Sequence, residues 1–151
     1  MSFRITSLLV ILALALPACK SHTANTGTID VSEPGEGTSP SLRIIDIWVL
    51  EEIDGRAVSD ADFGRERPRL EFNSEGQLTG SSGCNNISST YTADGAKLSF
   101  GPMITTKMAC AGNGESKFLT ALKQATDYKI EGLKLYPLAG GKEKLQFKKV
   151  D

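Results

Sequence analysis

Beyond residue 43 the chain is written mostly in short apolar-polar alternations, the two-residue period of half-buried strands. Residues 44–53, IIDIWVLEEI, are β-branched and aromatic, and predict a first strand with Trp48, Leu50 and Ile53 toward a core. Asp54-Gly55 is a two-residue hairpin signal. Residues 56–67 are polar and irregular, suited to a surface loop or a single helical turn. In 68–73, PRLEFN, Leu70 and Phe72 alternate with Arg69 and Glu71, which predicts a second strand. Further strands are expected at 89–92, 97–100 and 105–110, and the last third reads as a meander of YKI, LKLYPL and KLQFKKV. There Leu133, Leu135, Leu145 and Phe147 are placed on one buried face.

One segment has helical periodicity instead. After a cap at Asn113 or Gly114, the body SKFLTALKQAT lines up Phe118, Leu122 and Ala125, with Leu119 beside them, in one apolar stripe. Glu115 complements the helix dipole in the first turn. Seven or eight short strands with one helix predict an α+β fold, mostly antiparallel β: a curved sheet or incomplete (cracked) barrel with the helix packed on it.

The N-terminus follows a different pattern. A single cation, Arg4, precedes the apolar run 8–16, too short to span a bilayer of roughly 30 Å as a helix. The run ends in Leu16-Pro17-Ala18-Cys19, which resembles the bacterial lipobox and implies cleavage before Cys19 and lipidation of its sulfur. Ordinary secretion with an unmodified Cys19 is the alternative, but it leaves an odd, exposed thiol in an oxidising compartment. Residues 1–18 are thus read as a lipoprotein signal peptide, 19–43 as the lipidated Cys and a flexible Ser/Thr/Gly/Pro-rich linker, and 44–151 as the domain. Lys20, rather than Asp, after Cys19 favours the outer membrane, facing the periplasm, over inner-membrane retention.

Composition and charge then remove whole classes of function. The 17 basic and 18 acidic side chains are nearly balanced, so no positive field exists to hold nucleic acid or an anionic membrane. His22, the single histidine, lies in the linker, which removes Ser-His-Asp and Cys-His catalysis from the domain. Cys84 and Cys110 are too far apart for a C-x-x-C redox motif and lack partners for a zinc site. In an exported domain they read as a structural disulfide, with two buried free thiols as the alternative. Asn85, after a Gly-rich turn, suits a backbone role better than ligand contact. Thr105-Thr106-Lys107 is a weak anion signal, and Glu51-Glu52, adjacent on a strand, are expected on opposite faces.

Several of these pieces together resemble one family. Trp48-Val49-Leu50, Asp54-Gly55, Gly80-Ser81-Ser82-Gly83-Cys84-Asn85, Tyr91, Thr105-Thr106-Lys107-Met108-Ala109-Cys110 and Leu145-Gln146-Phe147 are similar to the META/HslJ domain over about residues 46–149. The resemblance implies a small bacterial envelope lipoprotein, linked to heat shock and antibiotic tolerance or to motility and virulence, without a settled biochemical activity. It also implies a fold similar to the pilot lipoproteins of type III secretion, a cracked barrel that can hold a lipid chain. It supplies no catalytic residues.

The expected function is therefore a non-enzymatic, lipid-anchored binding or stress-response module without cofactor or metal. The alternative is a carrier of a lipid or other hydrophobic ligand inside the barrel, with Trp48 and Phe72 as candidate contacts and Asn85 as an outside one. Expected partners are the membrane, through the lipid, and an envelope protein or hydrophobic ligand; a monomer is expected.

Overall fold

The computed structural model of the chain describes residues 44–150. Cys19, His22 and the boundaries assigned within 1–43 lie outside the described residues.

Eight strands close into an antiparallel barrel. In ring order they are β1 (Ile47–Ile53), β3 (Arg69–Phe72), β4 (Gln77–Ser81), β5 (Asn86–Asp94), β6 (Lys97–Phe100), β8 (Asp127–Glu131), β9 (Lys134–Ala139) and β11 (Leu145–Val150), which returns to β1. Three two-residue strands add to it: β2 (Arg56–Ala57) on β1, β7 (Ile104–Thr105) on β5, and β10 (Lys142–Glu143) on β9. The single α-helix among the described residues, α1 (Gly114–Gln124), lies between β7 and β8 in the chain and packs against β1, β9 and β11.

The mostly antiparallel α+β architecture read from the sequence is the observed one, and the ring is closed. Its thinnest junction is β6 to β8, where Lys97 opposite Asp127 is the sole register pair. Backbone bonds flank that pair, from Leu98 N–H to the Thr126 carbonyl (3.1 Å) and from Tyr128 N–H to the Ala96 carbonyl (2.7 Å). The Lys97 ammonium meets the Asp127 carboxylate at 2.6 Å.

Alternation along each strand fills the barrel. Trp48, Leu50, Leu70, Phe72, Leu135 and Phe147 are all at most 2% exposed. Each such side chain contributes on the order of 1.5–3 kcal/mol by leaving water. The Trp48 indole N–H, which an apolar interior would leave unsatisfied, donates to the Ile44 carbonyl at 2.9 Å. Phe72 meets the Tyr91 ring edge-on, with centroids 4.9 Å apart. From α1, Phe118 and Leu122 enter the same core, and Phe118 stands against Phe147 at 6.2 Å.

Several local expectations are corrected. The strand expected over 105–110 pairs only at Ile104–Thr105, because side-chain bonds and a disulfide hold the rest as a loop. The helix begins at Gly114 and ends at Gln124; Ala125 is already extended (φ −66, ψ 128) although still buried. Leu133 is 59% exposed, since the chain turns there before β9 starts. Glu51 and Glu52 do not diverge. The pairing of β1 with β11 slips between Leu50 and Glu52, and this bulge brings both carboxylates to the Gln146 side-chain amide, at 3.0 and 3.4 Å.

Candidate functional site

The stretch holding Cys84 and Cys110 is built as a knot. The two cysteines are joined in a disulfide, with Cα atoms 6.3 Å apart, within the usual span for such a bridge. Beside it the buried Asn85 uses its whole amide. Its Oδ1 accepts from the Met108 N–H (2.7 Å) and the Thr106 hydroxyl (2.9 Å). Its Nδ2 donates to Glu115 Oε2 (2.9 Å) and reaches the Met108 carbonyl (3.5 Å). The Ser82 hydroxyl bonds the other oxygen of Glu115, and the Ser82 N–H donates to the Asn85 carbonyl at 2.7 Å. Thr106 closes the set by accepting from the Asn86 N–H at 3.0 Å. No polar side-chain atom among the described residues is buried without a partner.

Glu115 therefore does more than complement the helix dipole: it ties the first turn of α1 to the cysteine loop. That bond sets where the helix starts. At Gly114, any Cβ would overlap the Asp62 carbonyl. Gly83, at φ +98, has a conformation that suits glycine, and a Cβ there would strike Phe63. Phe63, 1% exposed, is thus pinned beside two glycines whose missing side chains make room for it.

On the outer side of Phe63 lies a cleft of about 570 Å³. Ile53 and Val58, over the buried Phe63, supply its apolar surface, and Arg56, Lys117, Asp54, Asp62 and Asn113 its polar one. The segment carrying Asp62 is held rigidly for a loop. Asp62 Oδ2 accepts from the Ser59 N–H (2.7 Å) and hydroxyl (2.8 Å), a capping box on the short 3-10 turn Asp60–Asp62. The Ser59 amide, then its hydroxyl, with the Lys117 charge adding, hold the Asp62 carboxyl below its ordinary value. Asp60 accepts from the Arg67 backbone and side chain at 3.0 and 3.1 Å. Asp54 is paired with Lys144 at 2.9 Å. Arg56 and Lys117 are exposed and make no ion pair among the described residues.

The residues singled out in the sequence fall in three places. Cys84, Cys110 and Asn85 form the knot, while Trp48 and Phe72 lie in the barrel core and not on the cleft. Cys19 lies outside the described residues. The cleft residues Arg56, Phe63 and Lys117 were not singled out by sequence reasoning. Two signals point to the loop carrying Phe63: the S-x-x-D spacing of Ser59 and Asp62, and a lone Phe63 in a polar run.

A META domain family model matches residues 45–151. No curated protein matches the sequence. A solved NMR structure of a protein from Burkholderia xenovorans is 32% identical, with a TM-score of 0.54, and the match covers 72% of this chain and 85% of that one. A second NMR structure, 20% identical, has a TM-score of 0.56 over 69% of this chain and 88% of the other. The crystal structure of a DUF4847 family protein from Bacteroides vulgatus, also 20% identical, has a TM-score of 0.51 over 76% and 97%.

Proposed function

The chain belongs to the META domain family, and on that premise we propose that it is a non-enzymatic binding or stress-response module, anchored by lipid on Cys19 in the bacterial envelope and facing the periplasm from the outer membrane. The disulfide between Cys84 and Cys110 carries this reading, because such bonds persist in oxidising compartments and are rare in the cytosol. The sequence Leu16-Pro17-Ala18-Cys19 supplies the matching address. Two of the acids nearest the cleft and knot, Asp62 and Glu115, are engaged in structural bonds, which favours binding over acid-base chemistry. The barrel interior is occupied by Trp48, Phe72, Leu135 and Phe147, which supports this reading over an interior lipid carrier.

Growing cells with a palmitate analogue tests the anchor. The wild-type chain takes up label and Cys19→Ser does not; an unlabelled wild-type chain overturns it. Deleting the gene tests the stress role, and unchanged survival under heat and envelope-active drugs removes it.

A further inference from the structure

We propose that the cleft bounded by Ile53, Arg56, Val58, Phe63 and Lys117 binds a small organic anion, its charged head held by the two cations and its apolar body on the half-buried Ile53 and Val58. This deepens the binding half of the proposed function and does not depend on the lipid anchor.

Three observations carry it. The volume, about 570 Å³, lies within the range of small-molecule sites, on the order of 300–1,000 Å³. The lining is divided in the way such a ligand needs, with Ile53 and Val58 half-buried beside the buried Phe63, and cations at the edge. The charges are asymmetric in their engagement. Asp54 is neutralised by Lys144, and Asp62 Oδ2 is committed to Ser59. Arg56 and Lys117 have no carboxylate within ion-pair distance. A planar guanidinium and an ammonium lining one cleft suit a carboxylate or phosphate head. The walls are also set in advance: the capping box fixes one side, and Glu115 bonding Asn85 and Ser82 fixes the other. Little conformational freedom is then lost on binding.

Among the described residues, Asp62 is the lining carboxylate without a cationic partner within ion-pair distance that opposes an anion here, since Asp54 is paired with Lys144. It therefore discriminates between a charge-reading site and an adhesive apolar dimple. Asp62→Asn removes the charge and keeps an oxygen to accept from Ser59.

The test is backbone-amide NMR on the intact chain in the uncharged detergent dodecyl maltoside, titrated with phenyl phosphate, benzoate, phenol and inorganic phosphate. Phenyl phosphate or benzoate is expected to shift Ala57, Val58, Gly114 and Lys117 saturably, and the tighter of the two identifies the head group. Phenol and inorganic phosphate, each lacking half of the ligand, are expected to bind about tenfold more weakly or worse. Arg56→Gln and Lys117→Gln are each expected to weaken binding by about tenfold, and Asp62→Asn to tighten it about two- to threefold. Both cations are exposed, and an unchanged Trp48 indole N–H signal shows that the variants remain folded. The proposal is overturned by shifts that map elsewhere, by phenol binding as tightly as its anions, or by variants that leave the affinity unchanged. A chain that binds phenyl phosphate yet takes up no palmitate label leaves this site standing and removes only the anchor.

Discussion

The cysteine knot and the C-terminal meander hold the same barrel by opposite means. In the knot, Asn85 makes four side-chain hydrogen bonds, Ser82 and Glu115 add more, and a covalent bridge closes the loop. In the meander, Leu135, Leu145 and Phe147 are buried on one face, and lysines pair with acids on the other. Lys129 meets Glu131 and Glu143 at 2.8 Å each, and Lys134 meets Glu51 at 3.1 Å. Exposed pairs of this kind contribute little, with a median of about 0–1 kcal/mol, so burial does most of the holding there. The knot positions; the meander fills. A region that must present a helix start and a cleft wall needs directional bonds, whereas a region that only needs to exclude water does not.

Four measurements bear on that contrast. The largest effect is expected from Phe147→Ala, which opens a cavity under Phe118 and should cost about 3–5 kcal/mol in urea unfolding. A loss below about 1 kcal/mol would mean that the meander is not held by burial. Next is removal of the disulfide by Cys84→Ala with Cys110→Ala, which should cost roughly 3–4 kcal/mol through the released unfolded-state constraint. An equal midpoint with and without the bridge would place the knot's strength in its hydrogen bonds alone. Third, Asn85→Ala leaves the Met108 amide and Glu115 short of partners and should cost about 1–3 kcal/mol. The amide exchange released should concentrate at 106–115; a uniform change over the barrel would deny the knot its local role.

The smallest effect is at the seam. The hydrogen bond from Lys97, then that from Thr126, lowers the Asp127 carboxyl from its ordinary 3.8. A depressed folded value means that this contribution is whole above about pH 3.8 and is lost as pH falls through the lower folded value. Exchange of the Leu98 and Tyr128 amides should then accelerate at acid pH before that of β1 and β11. Simultaneous loss everywhere would show that the seam is no weaker than the rest.

Much of this was legible beforehand where a local rule had no competitor. The alternation in RLEF and KLQF assigned Phe72 and Phe147 to the core, and Asp54-Gly55 gave the first turn. The failures have a common cause. The run from Thr106 to Cys110 has strand-forming character, yet Asn85 and Cys84, far away in sequence, supply its bonds instead. Leu133 fits a strand period, but Gly132 and Leu133 form the turn itself, so it faces water. Glu51 and Glu52 were separated by strand parity until a bulge against β11 cancelled it.

By itself the sequence determined the core faces of the regular strands, the helix, the family and the cysteine motif at Cys84 and Cys110, because each follows from short-range periodicity or a compact motif. Only the tertiary structure decided that the ring closes, that Asn85 is consumed by the knot, and that Arg56 and Lys117 share a cleft beside Phe63. Those depend on segments about 60 residues apart meeting in space, and local propensity carries no information about such distances. The motif from Gly80 to Cys110 thus specifies a staple, and the fold ties that staple, through Glu115, to the helix whose first turn lines the cleft.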